Sequence, residues 1–571
     1  MTDQLQATAA PAAGLAGPPD GGHPAIELNP RARFEVLGAV LLGLLLGALD
    51  QTVVGTAMPR IVGDLNGTDL YTWVVTIYLL TSTITVPFYG KLSDLYGRKP
   101  FLLGGIALFL LGSALSGLSQ TMWQLILFRG IQGIGAGSLF PISLAVIGDL
   151  FTPIERGKYQ GLFGAVFGIA FLIGPALGGF LTDTLSWHWI FYINLPIGLL
   201  SLVVIARVLP AFHGKPGRLA DLDWAGGVVF TAGIALFLIG LTNAQNGGWT
   251  DPSVGGLIAL GLAILVVFVG IEARAKEPII PLDLFRERTY SGTIVATFLA
   301  SFGFFSAVLF LPYYFQFVLG DSATISGYEL FPMLIGLIGT SIIAGQLVSR
   351  TGRYKLLMVI SLVVAVAGSY LLTQLQPGTN IWTLRGWLLV LGIGIGPTMA
   401  VFTIIVQNAV PFERLGVATS SLTFFRQIGG SVGLAMVGSY FASQLHATIP
   451  AQVAKASLPP QISQAFAGPG FNPGQLTAVG GNLGQQILAG VPAAYRSFIE
   501  PYVPAIVKAI HDGFTVAIGS LFWFGVWASL LAVLATLVIR ELPLRSTIRG
   551  TEAAAEGGAE SPVAAGIPIF E

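Results

Sequence analysis

The sequence predicts an all-α membrane protein that crosses the bilayer many times. Of its 571 residues, 54% are hydrophobic and only 10% are charged, whereas soluble domains carry about 25% charged residues. Apolar runs long enough to cross the hydrocarbon core, about 20 residues, recur along the chain. A water-soluble fold of this length cannot hide so much apolar surface, so lipid must cover part of it.

The composition also argues against several classes of function. Basic and acidic residues number 28 each, so there is no basic excess to indicate a nucleic-acid partner. The chain has no Cys, which excludes disulfides, thiol catalysis and Cys-ligated metals. The five His are scattered without metal-binding spacing. We therefore expect no metal site, no cofactor and no enzymatic activity.

Fourteen spans are predicted from the apolar runs. Residues 1–33 and 546–571 are expected to be disordered cytoplasmic tails, and the first of them lacks the apolar core of a signal peptide. The first helix is expected to act as an uncleaved insertion signal. The predicted spans are 35–58, 71–89, 101–119, 123–148, 158–182, 189–209, 222–242, 254–272, 291–318, 326–348, 356–375, 384–408, 416–442 and 514–539.

Basic residues are distributed unequally between alternate loops. Most lie in one set of loops, and the other set holds only Arg60, Arg385, Lys455, Arg496 and Lys508. Because basic loops remain in the cytoplasm, both termini are predicted to be cytoplasmic. We expect a multi-pass, monomeric protein of a bacterial cell (inner) membrane, with the lipid bilayer as its surroundings.

The second half of the chain repeats features of the first. Arg129-Gly130 is echoed by Arg385-Gly386, which indicates two six-helix bundles at 34–209 and 276–545, joined by two extra helices within 210–275. Repeats of this kind place a substrate site between the halves. Residues 443–513 are predicted to form an extracytoplasmic insertion of short amphipathic helices that could bind a partner. The alternative is an unstructured insertion.

Two charged residues stand inside predicted spans of the first half. Asp50 lies deep in the first span and Arg129 in the fourth, and intramembrane charges are costly enough to indicate function. A buried carboxylate could load and release a proton, whereas the alternative is a permanent bond to a neighbouring helix. Arg129 could tune Asp50 or hold the two spans together.

Two glycine-containing segments could gate a pathway. In the loop 90–99, Gly90 and Gly97 permit a tight turn, and Asp94 can accept from a helix N-terminus or from an Arg across the interface, which suggests a cytoplasmic latch. An ordinary basic loop would explain Arg98 and Lys99 alone. The second segment, in the fifth span, could bend the helix or simply pack closely. Its residues are Gly174, Pro175, Gly178 and Gly179.

Three further residues are weaker candidates. Glu329 could be a second proton-coupling group, or a helix-start acid favoured by the dipole. Arg426 is an intramembrane cation with no partner evident from the sequence. Tyr313 belongs to a group of aromatic residues that could line an apolar pocket or face lipid.

Four segments in order resemble the major facilitator superfamily, and within it the fourteen-helix drug:proton antiporters. Residues 90–99 (GKLSDLYGRK) are similar to its loop signature, and residues 49–59 are similar to the first-helix motif. Residues 129–133 resemble the span-four motif, and Gly174-Pro175 with Gly178-Gly179 resembles the span-five motif tied to export. The similarity runs from about Phe34 to Leu544. In the second half, Ser349 stands where the loop acid would be, which departs from a symmetric latch.

The resemblance implies two bundles, alternating access, and proton influx that drives export of amphipathic, often cationic compounds. It links Asp50 and Arg129 to proton coupling and makes Gln51 and Gln132 candidates for coupling or substrate contact. The proton gradient, rather than a cofactor, would supply the energy. An exporter of lipid or another endogenous amphiphile, a nutrient importer, and a non-transporting receptor or scaffold stay as alternatives.

Overall fold

The computed structural model is almost entirely helical. The predicted tails lie almost wholly outside its described residues, as does part of the predicted insertion. The described residues are 29–65, 70–210, 223–244, 247–456, 458–467, 483–490 and 493–544. Their long helices are α1 (Pro30–Leu65), α2 (Tyr71–Tyr96), α3 (Arg98–Ser116), α4 (Met122–Leu150), α5 (Pro153–Thr184), α6 (Asn194–Val208), α7 (Trp224–Asn243), α8 (Leu257–Glu272), α9 (Arg288–Phe317), α10 (Phe331–Thr351), α11 (Lys355–Thr373), α12 (Ile381–Asn408), α13 (Leu415–Lys455) and α14 (Val503–Val538).

Thirteen stretches of the described chain are long and apolar enough to cross a membrane. They correspond to thirteen of the predicted spans, and the helix outside this set is α13. That helix carries polar residues such as Thr423, Arg426 and Gln427. Because α13 packs against α2, α9 and α14, much of its polar surface faces other helices instead of lipid.

The helices form two packed groups. One buried cluster draws on residues from Val36 to Leu209 and fills the space among α1–α6. Two others fill the space among α9–α14. Of the inserted helices, α7 lies against α2 and α13, and α8 packs on α7. The ring centroid of Phe230 in α7 is 5.1 Å from that of Phe268 in α8 and 5.4 Å from that of Phe424 in α13.

Glycines bring α5 and α10 into backbone contact across the two groups. Gly157, Gly161, Gly164 and Gly168 are spaced three or four residues apart and therefore share one face of α5. A Cβ atom on Gly157 would lie 2.3 Å from the carbonyl oxygen of Gly345 in α10, and one on Gly161 would lie 2.9 Å from the Cα atom of Ile342. No larger residue fits these positions without moving the helices apart.

The last two helices extend beyond the predicted spans. α13 ends at Lys455, not at residue 442, and α14 begins at Val503, not at residue 514. Leu445, Ile449 and Val453 recur every four residues and are buried beside Ile506 and Ile510 of α14, so the amphipathic start of the predicted insertion continues the helix. Short helices follow at Pro460–Ala467, Leu483–Gly490 and Ala493–Ile499.

Candidate functional site

Asp50 is bound on both carboxylate oxygens by side chains from other helices. Its Oδ2 atom accepts a hydrogen bond from Arg129 Nη1 at 2.6 Å. Its Oδ1 atom accepts from Gln132 Nε2 at 2.8 Å and from Asn194 Nδ2 at 3.1 Å. Asp50 is 1% exposed and Arg129 is 2% exposed, so this ion pair between α1 and α4 lies away from solvent.

The guanidinium of Arg129 is held in place from two further directions. Its Cζ atom lies 4.1 Å from the ring centroid of Tyr78 in α2, a cation–π contact that strengthens when desolvated. Its Nη1 atom also donates to Gln132 Oε1 at 2.9 Å. The structure therefore places Asp50, Arg129 and Gln132 in one cluster, and adds Tyr78 to it.

A chain of hydrogen bonds continues from Asp50 toward α3. Asn194 Nδ2 donates to Ser113 Oγ at 3.0 Å as well as to Asp50, and Ser113 Oγ donates to the carbonyl of Phe191 at 2.8 Å. Sequence reasoning missed Asn194, Ser113 and Tyr78 as members of this site. The available signal was the amide of Asn194 between the apolar residues Ile193 and Leu195, because a buried amide needs partners.

The span-five motif packs directly beside the Asp50 cluster. Thr52, two residues after Asp50, donates from Oγ1 to the carbonyl of Ala170 in α5 at 3.0 Å. A Cβ atom on Gly174 would lie 2.0 Å from Thr52 Oγ1, so only glycine permits this approach. Pro175 lies inside α5. Gly178 is buried and Gly179 is partly buried, whereas the Gln51 side chain is exposed.

Pro175 also faces the second half of the chain. A Cβ atom on Gly327, in the short helix Ala323–Glu329, would lie 3.3 Å from Pro175 Cγ. The motif therefore contacts α1 through Gly174 and the segment before α10 through Pro175.

The predicted loop 90–99 is helical except at Gly97, because α2 continues to Tyr96 and α3 begins at Arg98. This segment joins the two halves at the end of the bundle that carries both ends of the described chain. The Asp94 carboxylate accepts from the backbone N–H of Gly416 at 2.9 Å and of Val417 at 2.7 Å, at the start of α13. An anion at a helix N-terminus is stabilised by unpaired N–H groups and by the helix dipole. We call this contact the Asp94 latch.

Arg98 fixes the Asp94 latch from within the first half. It forms an ion pair with Asp94, and its Nε atom donates to Asp149 Oδ2 at 2.9 Å. Gly97 has a φ of 94°, which favours glycine at the turn between α2 and α3. Lys99 is partly exposed.

Gly90 allows the latch to close tightly. A Cβ atom on Gly90 would lie 2.0 Å from Ser420 Oγ in α13, so the Ser420 side chain packs directly on the backbone of α2 here. Nearby, Gln160 Nε2 donates to Gln407 Oε1 at 2.7 Å, which links α5 to α12. Several polar contacts thus hold the two halves together at this end of the bundle.

Glu329 lies in a separate ion pair of the second half. Its carboxylate receives two hydrogen bonds from Arg385, from Nε at 2.8 Å and from Nη2 at 2.6 Å. The Arg385 guanidinium also lies 4.5 Å from the Trp382 ring. Arg385 is the residue that echoes Arg129. Each of the two arginines forms an ion pair with a different carboxylate, Arg129 with Asp50 and Arg385 with Glu329. Burial raises the pKa of the adjacent Asp321, and Glu329 adds to that rise.

Arg426 and Tyr313 lie in different surroundings of the second half. Arg426 lines a cavity among α9, α12 and α13, and its buried Nη2 atom has no hydrogen-bond partner in the described chain. Tyr313 is in an aromatic cluster, with its ring centroid 6.2 Å from that of Phe441 and 6.1 Å from that of Phe514. Neither residue belongs to the Asp50 cluster. Among the described residues, no group of three acidic, His or Cys side chains could hold a metal ion.

Comparison with known proteins defines the class to which this fold and site belong. Residues 40–434 match the family model of the Major Facilitator Superfamily. The chain belongs to this superfamily, and it is a multi-pass membrane transporter and not an enzyme. The resemblance and the fold class expected from the sequence are thereby confirmed.

Two individual relatives are similar to this chain over most of its length. The chain is 38% identical over 508 residues to "Multidrug transporter protein MdtP" of Bacillus subtilis, covering 86% of this chain and 92% of the relative. It is 39% identical over 409 residues to "Multidrug resistance protein 3" of the same organism, covering 71% and 79%. The solved proton:xylose symporter XylE aligns with a TM-score of 0.55 at 14% identity, covering 89% of this chain and 95% of XylE.

Proposed function

We propose that this chain is a proton-coupled antiporter that exports amphipathic compounds, with Asp50 as the group that binds the proton. The Asp50–Arg129 pair, buried between α1 and α4, is the observation that carries the proposal. The names of the two Bacillus relatives, a multidrug transporter and a multidrug resistance protein, support export of drug-like substrates.

The contacts suggest how proton binding is coupled to movement. A proton on Asp50 neutralises the carboxylate and removes the charge that attracts Arg129, so the hydrogen bonds from Arg129 and Gln132 weaken. Thr52 and Gly174 connect the same turn of α1 to α5, which packs on α10. Protonation can therefore alter the α5–α10 interface between the halves. In this proposal the protein is a monomer of a bacterial inner membrane, with both termini in the cytoplasm.

A preference for cationic substrates stays a prediction from the family resemblance. A carboxylate that faces the substrate without a cation of its own would support this preference. Asp50 and Glu329 are each bound by an arginine, so neither gives clear support for this preference.

Reconstituted vesicles test the proposal. When a proton gradient is imposed, native protein is expected to move ethidium against the ethidium gradient, while protons cross the membrane in the opposite direction down the proton gradient. Asp50→Asn should lose the gradient-driven movement, because an amide cannot bind and release a proton, while Asp183→Asn, at an exposed acid of α5, should keep it. Gradient-driven transport by Asp50→Asn at the native rate would rule out Asp50 as the coupling group.

A further inference from the structure

We propose that the segment between α8 and α9, residues 273–287, is a strap that holds the Asp94 latch closed. We call this segment the linker strap. It crosses the contact between α2 and α13, where the Asp94 latch lies, and it is bound to both halves of the molecule. The inference rests on the proposed transport function and adds a part of the chain that controls when the halves separate at this end of the bundle.

Two ion pairs attach the linker strap to the two sides of the latch. Lys91 Nζ of α2 donates to Glu277 Oε2 of the strap at 2.6 Å. Further along the strap, Asp283 forms an ion pair with Arg414. Lys91 lies one turn before Asp94 in α2, and Arg414 directly precedes α13, whose first turn supplies the N–H groups of the latch. The two pairs therefore lie next to the two partners of the latch, one on each half.

The two ion pairs differ in their exposure to solvent. The side chain of Lys91 is 9% exposed, whereas those of Arg414 and Asp283 are 44% and 56% exposed. Exposed ion pairs contribute little to stability, while removing one partner of a buried charge leaves the other charge without compensation. The pair between Lys91 and Glu277 is therefore the stronger of the two attachments and the better one to test.

Apolar side chains of the linker strap pack between α2 and α13. Ile279 is 1% exposed and belongs to one apolar cluster with residues of α2, α7 and α13. A Cβ atom on Gly227 of α7 would lie 3.3 Å from Ile279 Cδ1 and 2.9 Å from the ring of Phe88 in α2. On the other side, the ring centroid of Phe285 is 6.0 Å from that of Phe425 in α13. Moving α2 away from α13 must therefore break contacts on at least one side of the strap.

The inserted helices fix the beginning of the linker strap. Glu272, the last residue of α8, is 2% exposed and accepts a hydrogen bond from the backbone N–H of Ile280 at 2.5 Å. A Cβ atom on Gly226 would lie 3.1 Å from Glu272 Oε2, so this carboxylate also lies beside the start of α7. The strap is thus folded back onto the inserted pair, and α7 and α8 hold it across the contact between α2 and α13.

These contacts distinguish a strap from a passive connection. A passive connection would join α8 to α9 and leave the balance between the closed and open latch unchanged. The linker strap instead binds charged and apolar groups of both halves, and it can bind both only while α2 and α13 are adjacent. Its contacts therefore stabilise the closed latch and are lost in part when this end of the bundle opens.

A thiol at the other contact between the halves reports this opening. Ser349 lies in α10 against Gly157 of α5, and its Oγ atom is buried. The α5–α10 contact involves neither α2 nor α13, so labelling of Ser349→Cys measures separation of the halves and not local loosening of the strap. The chain has no Cys of its own. Full-length Ser349→Cys protein in phosphatidylcholine nanodiscs is treated with a maleimide, without substrate or proton gradient, and the labelling rate is measured.

Reversal of one charge in the linker strap should speed this labelling. With Ser349→Cys present, Glu277→Lys places two ammonium groups where the ion pair with Lys91 was, so the labelling rate should rise by about threefold to tenfold. Exchange of the two charges, by Lys91→Glu with Glu277→Lys, should return the rate to near its native value. Glu277→Gln removes the attraction without adding repulsion and should give a smaller rise.

A matched control separates the ion pair from a general change of charge. Glu287 is an exposed acid at the end of the same strap, outside both of its ion pairs, and Glu287→Gln should leave the labelling rate unchanged. Thermal unfolding checks that each variant is folded. If Glu277→Lys unfolds, Glu277→Gln and Glu287→Gln provide the comparison.

Two results would overturn the strap. One is a native labelling rate in the folded Glu277 variants, and the other is a raised rate that the charge exchange does not lower. The labelling depends on neither Asp50 nor a proton gradient. Unchanged labelling would thus contradict the strap and leave ethidium antiport intact, whereas loss of antiport in vesicles would leave the effect of Glu277 on labelling intact.

Discussion

At the scale of single residues, the Asp50 carboxylate is paired with the Arg129 guanidinium at a buried position. Arg129, Gln132 and Asn194 supply donors to its two oxygens, so the charge is both paired and hydrogen-bonded. Removing one partner of such a pair is more harmful than removing both, because the remaining charge stays buried. The pair is thus a structural constraint as well as the proposed proton site.

Arg129→Gln is expected to destabilise the protein by about 3–5 kcal/mol, the usual cost of breaking a buried ion pair. The double variant Asp50→Asn with Arg129→Gln should be less destabilised than Arg129→Gln alone, since no charge is left without a partner. Thermal unfolding in detergent measures both. Arg60→Gln serves as the control, because its contact with Asp64 is exposed at 3.6 Å. Equal losses in the single and double variants would contradict the energetic role of the pair.

From the sequence, the charged residues of this cluster could be identified, but its neutral polar residues could not. Asp50 and Arg129 could be selected because ionisable groups are rare within apolar runs. Tyr78 and Ser113 could not, because neutral polar residues are common in membrane helices and their partners depend on how each helix is rotated. The pairing of Glu329 with Arg385 was not foreseen either, since the two residues lie 56 positions apart on different helices.

At the scale of helices and loops, the Asp94 latch joins the last turn of α2 in one half to the N-terminus of α13 in the other. Its two acceptors are the oxygens of one side chain, and its two donors are consecutive backbone N–H groups. The sequence predicted a latch from Gly90, Asp94 and Gly97. It did not indicate the start of α13 as the partner, because a backbone N–H group leaves no trace in the residue pattern.

Asp94→Asn should open this end of the bundle more often. Hydrogen bonds to charged groups contribute about 1.5–3 kcal/mol, so the open population should rise by about tenfold or more. A thiol introduced by Ser349→Cys, at the α5–α10 contact, reports the opening through its rate of reaction with a maleimide. Since the chain has no Cys, no other thiol interferes.

The matched control for this experiment is Asp183→Asn, an exposed acid on α5. It should leave the labelling rate unchanged. Faster labelling in the control, or an unchanged rate in Asp94→Asn, would argue against the latch.

At the scale of the whole molecule, the even number of predicted spans and the distribution of basic residues predict that both termini lie in the cytoplasm. The run of apolar segments predicted the number of long helices well, because each must be about as long as the membrane is thick. Helix ends were harder to predict. Outside the hydrocarbon, helix length depends on packing, as when Ile449 of α13 is buried with Ile506 of α14.

Both termini are predicted to be cytoplasmic, and labelling in intact cells tests this. A thiol introduced by Gln376→Cys, in the exposed turn between α11 and α12, should react with a membrane-impermeant maleimide. A thiol introduced by Ser546→Cys should react only after the membrane is permeabilised. The reverse pattern would mean that the basic loops face outward, and labelling of both in sealed cells would disprove the assigned number of crossings.

The glycine face of α5 has a mechanical consequence. Where Gly157, Gly161, Gly164 and Gly168 meet α10, these positions of α5 place no side chain between the helices, and the neighbouring atoms belong to the backbone and to side chains of α10 such as Ser341 and Ile338. We expect α5 to shift against α10 with little resistance. The resistance to movement between the halves would then be concentrated at contacts outside this glycine face, the Asp94 latch between α2 and α13 and the Pro175–Gly327 contact, so that small chemical changes there can select the orientation of the whole transporter.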